Sequence, residues 1–81
     1  MIQVARLCRF DNDSSLKAFV DVTINGQVLV KGVRLVEGKN GLFVAMPKEK
    51  SKDGKWYESV SLLDKESKQE LHEAVIEAYN S

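Results

Sequence analysis

The chain has one cysteine, one histidine and one proline among its 81 residues. A lone cysteine excludes an intrachain disulfide, and with a single histidine it cannot build the usual zinc sites within one chain. No apolar run approaches the roughly 20 residues that a membrane-spanning helix needs. The first residues lack the basic-then-apolar order of a signal peptide. We therefore expect a cytoplasmic protein with no metal, no cofactor and no membrane attachment.

Net charge is lacking as well, because 12 basic and 12 acidic side chains balance. A neutral protein does not coat nucleic acid through bulk charge, so any such binding requires local clusters of cations. The chain also has no glycine-rich phosphate loop, metal-ligand spacing or nucleophile elbow. We expect that it is not an enzyme.

Hydrophobic residues make up 43% of the chain, which favours a folded domain over disorder. Residues 1–81 suffice for one domain. A chain this short buries only about 60% of its extended-state surface, and such domains often depend on disulfides, metals or a partner subunit. With the first two supports missing, a homodimer is favoured, and a stable monomer is the alternative.

Turn-forming residues divide the first half of the chain into predicted strands. A polar cluster at residues 11–15 separates a strand over Ile2–Phe10 from a second strand in which apolar and polar positions alternate. Asn25 and Gly26 end this second strand, and both residue types accept the positive φ of a type I′ turn. Gln27–Val36 is therefore predicted to return as an antiparallel strand.

The third strand changes its apolar phase part-way along. Val28 and Val30 share one face, Val33 and Leu35 fall on the other, and Gly32 lies between the two pairs. The slip indicates either a β-bulge at the glycine or a strand with two apolar faces.

The fourth predicted strand is apolar on both faces. It follows a turn over residues 37–41 and should end at Pro47, which cannot donate a ladder hydrogen bond. A strand of this kind is usually covered on both sides. One helix can cover one face, so we expect a second copy of the sheet to cover the other. The predicted dimer interface consists of Leu42, Phe43, Val44, Ala45 and Met46.

The segment that follows is polar and charged. Lys48–Lys55 contains the turn signal Asp53-Gly54 and is predicted as a loop or a protruding hairpin. Trp56–Leu63 has the aromatic and β-branched content of a last strand. Its aromatic side chains are expected in the core or an interface, with base stacking as the alternative.

The C-terminal segment has helical periodicity, since Leu71, Val75 and Ala78 recur at i, i+4 and i+7. Asp64 can cap its N-terminus, and a capping box of Ser67 with Glu70 is the competing start. The predicted fold class is α+β, with an antiparallel β-meander followed by one C-terminal α-helix.

The run Gly38–Pro47 reads Gly-Lys-Asn-Gly-Leu-Phe-Val-Ala-Met-Pro. It strongly resembles the signature of the stage V sporulation protein G (SpoVG) family, in which a glycine-asparagine turn leads into Gly-Leu-Phe-Val-Ala-Met-Pro. Residues 33–38, the Asp53-Gly54 turn and residues 73–79 resemble the family's preceding strand, its turn after the basic loop and its C-terminal helix. The resemblance covers nearly the whole chain.

The resemblance implies an antiparallel sheet with a C-terminal helix that dimerises through the sheet. It also implies binding of DNA, with RNA reported for the family, and regulation of gene expression linked to sporulation or septation. The chain departs from the pattern in several places: Cys8 stands where arginine is frequent, and Glu70 stands where lysine is common. The segment Lys48–Lys52 also replaces a loop that is often Ser-Lys-Arg-Thr-Pro in the family.

Three groups of residues are candidates for a nucleic-acid site. The first is a lysine cluster that could follow a phosphate backbone or could simply be a solvated loop. The second is the helix start, where free amides favour an anion and where the family resemblance implicates Ser67 and Lys68. The third consists of strand arginines that could grip phosphate or could equally pair with Asp21 or Glu37 across the sheet. In order, the candidates are Lys48, Lys50, Lys52 and Lys55; Lys65, Ser67 and Lys68; and Arg6 and Arg9.

The sequence and the resemblance together predict a small dimeric regulatory protein that binds DNA, with RNA as a further ligand. The alternative is a protein-interaction module that acts in cell division or septation without binding nucleic acid. Neutral net charge and the departures at Cys8 and Glu70 favour that alternative.

Overall fold

A computed structural model describes residues 1–10 and 14–81 of the chain. Four antiparallel strands form a sheet in sequence order, a short hairpin follows, and one helix ends the described chain. The predicted α+β meander is thereby confirmed, while residues 11–13 of the predicted turn over residues 11–15 fall outside the described residues. The elements are β1 (Ile2–Arg9), β2 (Leu16–Ile24), β3 (Val28–Gly38), β4 (Gly41–Ala45), β5 (Lys48–Lys50), β6 (Trp56–Glu58) and α1 (Lys65–Asn80).

The turn between β2 and β3 has the geometry that its sequence predicts. Asn25 and Gly26 have φ values of 55° and 68°, and the backbone N–H of Gln27 donates to the carbonyl of Ile24 at 3.0 Å. Positive φ at both central residues matches the right-handed twist of the paired strands. This turn sets the register of the β2–β3 ladder.

The predicted bulge in β3 is also confirmed. The β2–β3 register shifts between the pairs Val20–Val33 and Val22–Val30, and Gly32 has a φ of 85°. Because one extra residue enters β3 there, Val30 and Val33 both face the same side of the sheet and both are buried.

One face of the four-stranded sheet packs against α1 and forms the core. Val20, Val33 and Leu35 are completely buried from the sheet side. Leu71 and Val75 contribute the buried apolar stripe of the helix. The other face, which we call the open face, carries the side chains that alternate with these core residues and is not covered by any described element.

Asp64 caps α1, which confirms one of the two predicted helix starts. Its carboxylate accepts a hydrogen bond from the backbone N–H of Ser67 at 2.7 Å. The competing capping box is wrong, because Glu70 does not turn back to Ser67. Its carboxylate instead accepts from the backbone N–H of Ile2 at 2.7 Å.

A last strand forms where it is predicted to begin, at Trp56, but it is shorter than the predicted span Trp56–Leu63. Only Trp56–Glu58 is extended, and it pairs with β5 in a separate two-stranded sheet. Pro47 lies between β4 and β5, where it cannot donate to a ladder. Trp56 and Tyr57 are 65% and 48% exposed, so neither lies in the core, while a place in an interface stays a prediction.

Candidate nucleic-acid interface

The hairpin β5–β6 carries the predicted lysine cluster away from the main sheet. Lys48, Lys50 and the turn residues Lys52 and Lys55 are all exposed. Lys50 pairs across the hairpin with Trp56. Directly paired residues project to the same face, so the hairpin presents a lysine and an indole side by side.

The tip of the hairpin is organised by short-range hydrogen bonds. The Ser51 hydroxyl donates to the Asp53 carboxylate, and the backbone N–H of Ser51 donates to the Lys55 carbonyl at 2.8 Å. The Ser51 hydroxyl and the Lys55 backbone N–H hold the pKa of Asp53 below its ordinary value. Asp53 therefore stays ionised and offsets part of the lysine charge at the tip.

A second carboxylate partner lies on the opposite face of the hairpin. The Tyr57 hydroxyl donates to the Glu49 carboxylate at 3.2 Å, and this hydrogen bond raises the pKa of Tyr57. Glu49 pairs with Tyr57 across the strands, whereas Lys48 pairs with Glu58. The acidic side chains thus leave Lys50 and the turn lysines as the cations without a cross-strand carboxylate.

The start of α1 is less open to an anion than its sequence suggests. The Asp64 carboxylate already accepts the Ser67 backbone N–H, and hydrogen bonds from Ser67 lower the pKa of Asp64. The Lys68 backbone N–H donates to the Asp64 carbonyl. Of the predicted helix-start residues, Lys65 and Lys68 remain exposed cations, while the amide of Ser67 is occupied.

The fold brings one hairpin lysine and one helix lysine together. A groove of about 640 Å³ lies between β4, the segment 61–63 and α1, and both Lys48 and Lys68 line it. His72, one turn after Lys68, also lines this groove and is half-buried. Two of the three predicted groups therefore share one concave surface.

The two strand arginines lie on opposite faces of the sheet. Arg9 faces the helix, where its guanidinium lies 4.9 Å from the centroid of the Tyr79 ring and donates to the Ser81 carbonyl at 3.0 Å. Arg6 pairs with Asp21 on the open face. Arg9 is thus placed at the C-terminal end of α1, about 24 Å along the helix from the predicted cation group at its start.

The predicted interface strand, Leu42–Met46, is covered on one side only. Leu42, Val44 and Met46 pack against the core under α1, while Phe43 is 48% exposed on the open face. β4 is also an end strand of the described sheet, since it pairs with β3 alone. One uncovered face and one free edge therefore coincide at this strand.

The open face holds a group of residues that sequence analysis missed. Phe19 lies opposite Arg34 in the β2–β3 ladder, and the guanidinium carbon lies 5.7 Å from the centroid of its ring. Phe19 is 37% exposed. The available signal was an aromatic residue among the polar positions of β2, between Lys17 and Asp21.

Comparison with known proteins identifies the family. The sequence model of the SpoVG family matches residues 1–81. The chain belongs to the SpoVG family. The matched length includes the sheet, the hairpin and the helix, so all the candidate residues lie within the family domain.

Relatives of this SpoVG chain from three bacteria bear the name "Putative septation protein SpoVG", one with the suffix 1. The proteins of Clostridium perfringens, Staphylococcus saprophyticus and Listeria monocytogenes are 31%, 35% and 34% identical. Each alignment covers 91% of this chain, and it covers 82%, 73% and 72% of the respective relative.

The signature run of this SpoVG chain, Gly38–Pro47, maps onto the end of β3, the whole of β4 and the entry to the hairpin. It therefore connects the free edge of the sheet to the lysine cluster. Among residues 1–10 and 14–81, no helix has both the length and the hydropathy that a membrane crossing requires.

Proposed function

We propose that this protein is a homodimeric, non-catalytic regulator that binds nucleic acid and takes part in gene expression linked to sporulation or septation. The septation link rests on the names of its relatives. A cytoplasmic location suits its one cysteine, which is exposed and would stay reduced there. DNA is the proposed ligand, with RNA as a second ligand of the same surface.

The observation that carries the proposal is the projecting hairpin with four exposed lysines. Lysines that follow a phosphate backbone release its condensed counterions, which supplies affinity without sequence information. The indole of Trp56, 65% exposed beside Lys50, adds a flat apolar surface. Lys68 extends this positive region through the shared groove.

We propose that the dimer forms through β4. Its free edge exposes unpaired backbone N–H and C=O groups, and an edge strand of a second copy could pair with them about a two-fold axis. Its sequence, Leu42–Met46, is apolar on both faces, which suits a strand that becomes central after pairing.

Packing of two open faces against each other is less favourable than edge pairing. Among residues 1–10 and 14–81, the open face carries Arg6 and Arg34 together with Lys17 and Lys31, and Asp21 supplies one carboxylate to it. Stacking two such faces would bring like charges together in a region of low dielectric constant. Edge pairing keeps these cations in solvent.

The direct test compares charge-reversing variants in binding to fluorescently labelled duplex DNA and to RNA of the same sequence. Lys50→Glu and Lys52→Glu are each expected to weaken binding several-fold at low salt, because each change replaces a phosphate-binding cation with an anion. Lys39→Glu is the matched control. Lys39 is an exposed lysine in the β3–β4 turn, and its replacement changes the net charge by the same amount. Equal losses in all three variants would remove the hairpin from the site.

The rival function is a protein-interaction module that does not bind nucleic acid. Leu63, 94% exposed at the rim of the groove, favours it, because a lone apolar side chain in solvent offers a contact for a partner. Pull-down from lysate with and without nuclease separates the two. Protein partners that survive nuclease, without retained nucleic acid, would support the rival.

A further inference from the structure

The open face of the sheet combines exposed aromatic rings with cations. Arg34 lies directly opposite Phe19 on β2, and it is the diagonal neighbour of Phe43 on β4. A diagonal pair lies within reach of long and aromatic side chains. Phe19, Arg34 and Phe43 therefore lie on one face of three adjacent strands, with the Phe43 ring over Gly38 near the end of β3.

The ring of Phe19 is held in place and still exposed. Phe10 packs edge-on against it, with the ring centroids 5.1 Å apart and the planes at 84°. The guanidinium of Arg34 lies 5.7 Å from the same centroid. Phe19 is 37% accessible, so part of the residue faces solvent beside the guanidinium that lies over its ring.

The charge of this face differs from that of the chain as a whole. Four cations lie on this face, because their strand positions alternate with those of core residues: Arg6, Lys17, Lys31 and Arg34. The Asp21 carboxylate lies on the same face. The helix on the other side carries four glutamates and two lysines. The charges of this neutral chain are thus unevenly distributed: the open face is cationic and the helix is acidic.

We propose that the open face binds a single-stranded polynucleotide, whose bases stack on Phe19 and Phe43 while Arg34 and the neighbouring lysines contact its phosphates. This inference rests on the proposed nucleic-acid function and adds a second surface to it. Aromatic rings interspersed with cations are the general requirement for such binding, because every base has a π-face and every nucleotide has a negative charge. Arg34, whose guanidinium lies beside the Phe19 ring, can also stack on a base.

A single strand fits this face better than a duplex or a second copy of the chain. The bases of a duplex are already stacked on one another and cannot reach a flat sheet, whereas an unpaired strand can splay them onto the rings. A second copy would present the same cations, whereas a polyanion complements them.

A shallow depression beside Phe19 offers contacts for the edge of a stacked base. It has a volume of about 150 Å³ and is lined by Arg6, Cys8, Phe19 and Asp21. Arginine can donate two hydrogen bonds to guanine, and a carboxylate can accept from the amino group of cytosine. The depression is therefore suited to select among bases once one is stacked.

The test measures the affinity of the full chain for labelled oligothymidylate, oligouridylate and a duplex of equal length. Phe19→Leu removes the ring but keeps an apolar side chain against Phe10. We expect it to weaken single-strand binding about 5- to 100-fold, the range that follows from the loss of one stacked base, and to leave duplex binding unchanged. Comparing the thymidine and uridine probes distinguishes DNA from RNA as the preferred strand.

A photochemical experiment gives an independent readout. Ultraviolet cross-linking of the wild-type complex with oligothymidylate, followed by trypsin and mass spectrometry, should attach nucleotide to the peptide 18–31, which contains Phe19. Unchanged single-strand affinity in Phe19→Leu, or cross-links confined to residues 48–58, would overturn the inference.

Two results separate this inference from the proposed function. Duplex binding that depends on Lys50, without single-strand binding, would sink the inference and leave the proposed function standing. A wild-type protein that binds neither duplex nor single strand would overturn both the inference and the proposed function. Arg34→Gln serves as a second variant, because it should lower the salt dependence of single-strand binding by about one counterion without removing a ring.

Discussion

The Glu70 carboxylate accepts a hydrogen bond from the backbone N–H of Ile2, with 2.7 Å between the two atoms. The bond joins the second turn of α1 to the first residue of β1, across 68 positions of sequence. β1 is an end strand of the sheet, so this amide has a side-chain partner where a ladder partner is missing. A residue that departs from the family pattern is thus part of the contact between helix and sheet.

Replacing Glu70 tests this contact. Glu70→Ala should reduce the free energy of unfolding by about 1–2 kcal/mol, because the part-buried amide of Ile2 loses its acceptor. Glu70→Gln keeps a carbonyl oxygen and should lose less. Urea denaturation measures both, and Glu77→Ala, an exposed glutamate on the same helix, is the control. Equal stability of Glu70→Ala and Glu77→Ala would show that the bond does not contribute.

The one-sided core predicts different costs for two leucines of β3. Leu35 is fully buried under α1, and Leu35→Ala should cost about 2–5 kcal/mol by thermal or chemical denaturation. Leu29 is 50% exposed on the open face, so Leu29→Ala should lower the free energy of unfolding by less than about 1 kcal/mol. Similar losses at the two positions would contradict the assignment of faces.

The bulge at Gly32 predicts that a side chain at this position would strain the backbone but would not clash with neighbouring atoms. A Cβ added there would meet no atom within 4 Å, but the φ of 85° is one that side-chain-bearing residues rarely adopt. Gly32→Ala should therefore destabilise the fold by about 1–2 kcal/mol. Gly32→Asn should lose less, since asparagine tolerates positive φ. Denaturation midpoints that rank the two variants in the reverse order would argue against the bulge geometry.

The cap at Asp64 predicts a dependence of stability on pH. Hydrogen bonds from Ser67 lower the pKa of Asp64 in the folded state, so the folded form favours the ionised carboxylate. Its stabilising contribution is present above the ordinary aspartate range, around pH 4, and is lost as pH falls through the lowered pKa. Asp64→Asn keeps a capping oxygen but does not titrate. Between about pH 5 and pH 2 it should lose less stability than the wild type, as measured by urea denaturation at each pH.

Local signals determine how much of the sheet can be predicted. Asn25 and Gly26 fix a hairpin because both accept positive φ, and Gly32 marks a bulge because the apolar phase slips at a glycine. Trp56–Leu63 has strand-like composition, yet only its first three residues are extended. Its partner is the hairpin strand Lys48–Lys50, a tertiary choice that composition does not encode.

The candidate site is harder to predict, because it depends on which face each side chain takes. The β1–β2 register shifts between Val4 and Arg6, which moves Arg6 to the open face and turns Arg9 toward the helix. Alanine at position 5 gives no sign of this shift. Lys48 and Lys68 line one groove. Their proximity depends on how the hairpin packs against α1, which no local sequence signal predicts.

The salt dependence of binding to duplex DNA tests the central claim most directly. The measurement is the slope of log affinity against log salt between about 50 and 200 mM. It compares the wild type with a variant in which Lys48, Lys50, Lys52 and Lys55 are all replaced by glutamine. We predict that the wild type binds with a clear negative slope and that the slope of the variant is shallower by up to about 0.9 for each lysine replaced. A wild type that ignores DNA at low salt, or a variant with the same slope as the wild type, would contradict the account.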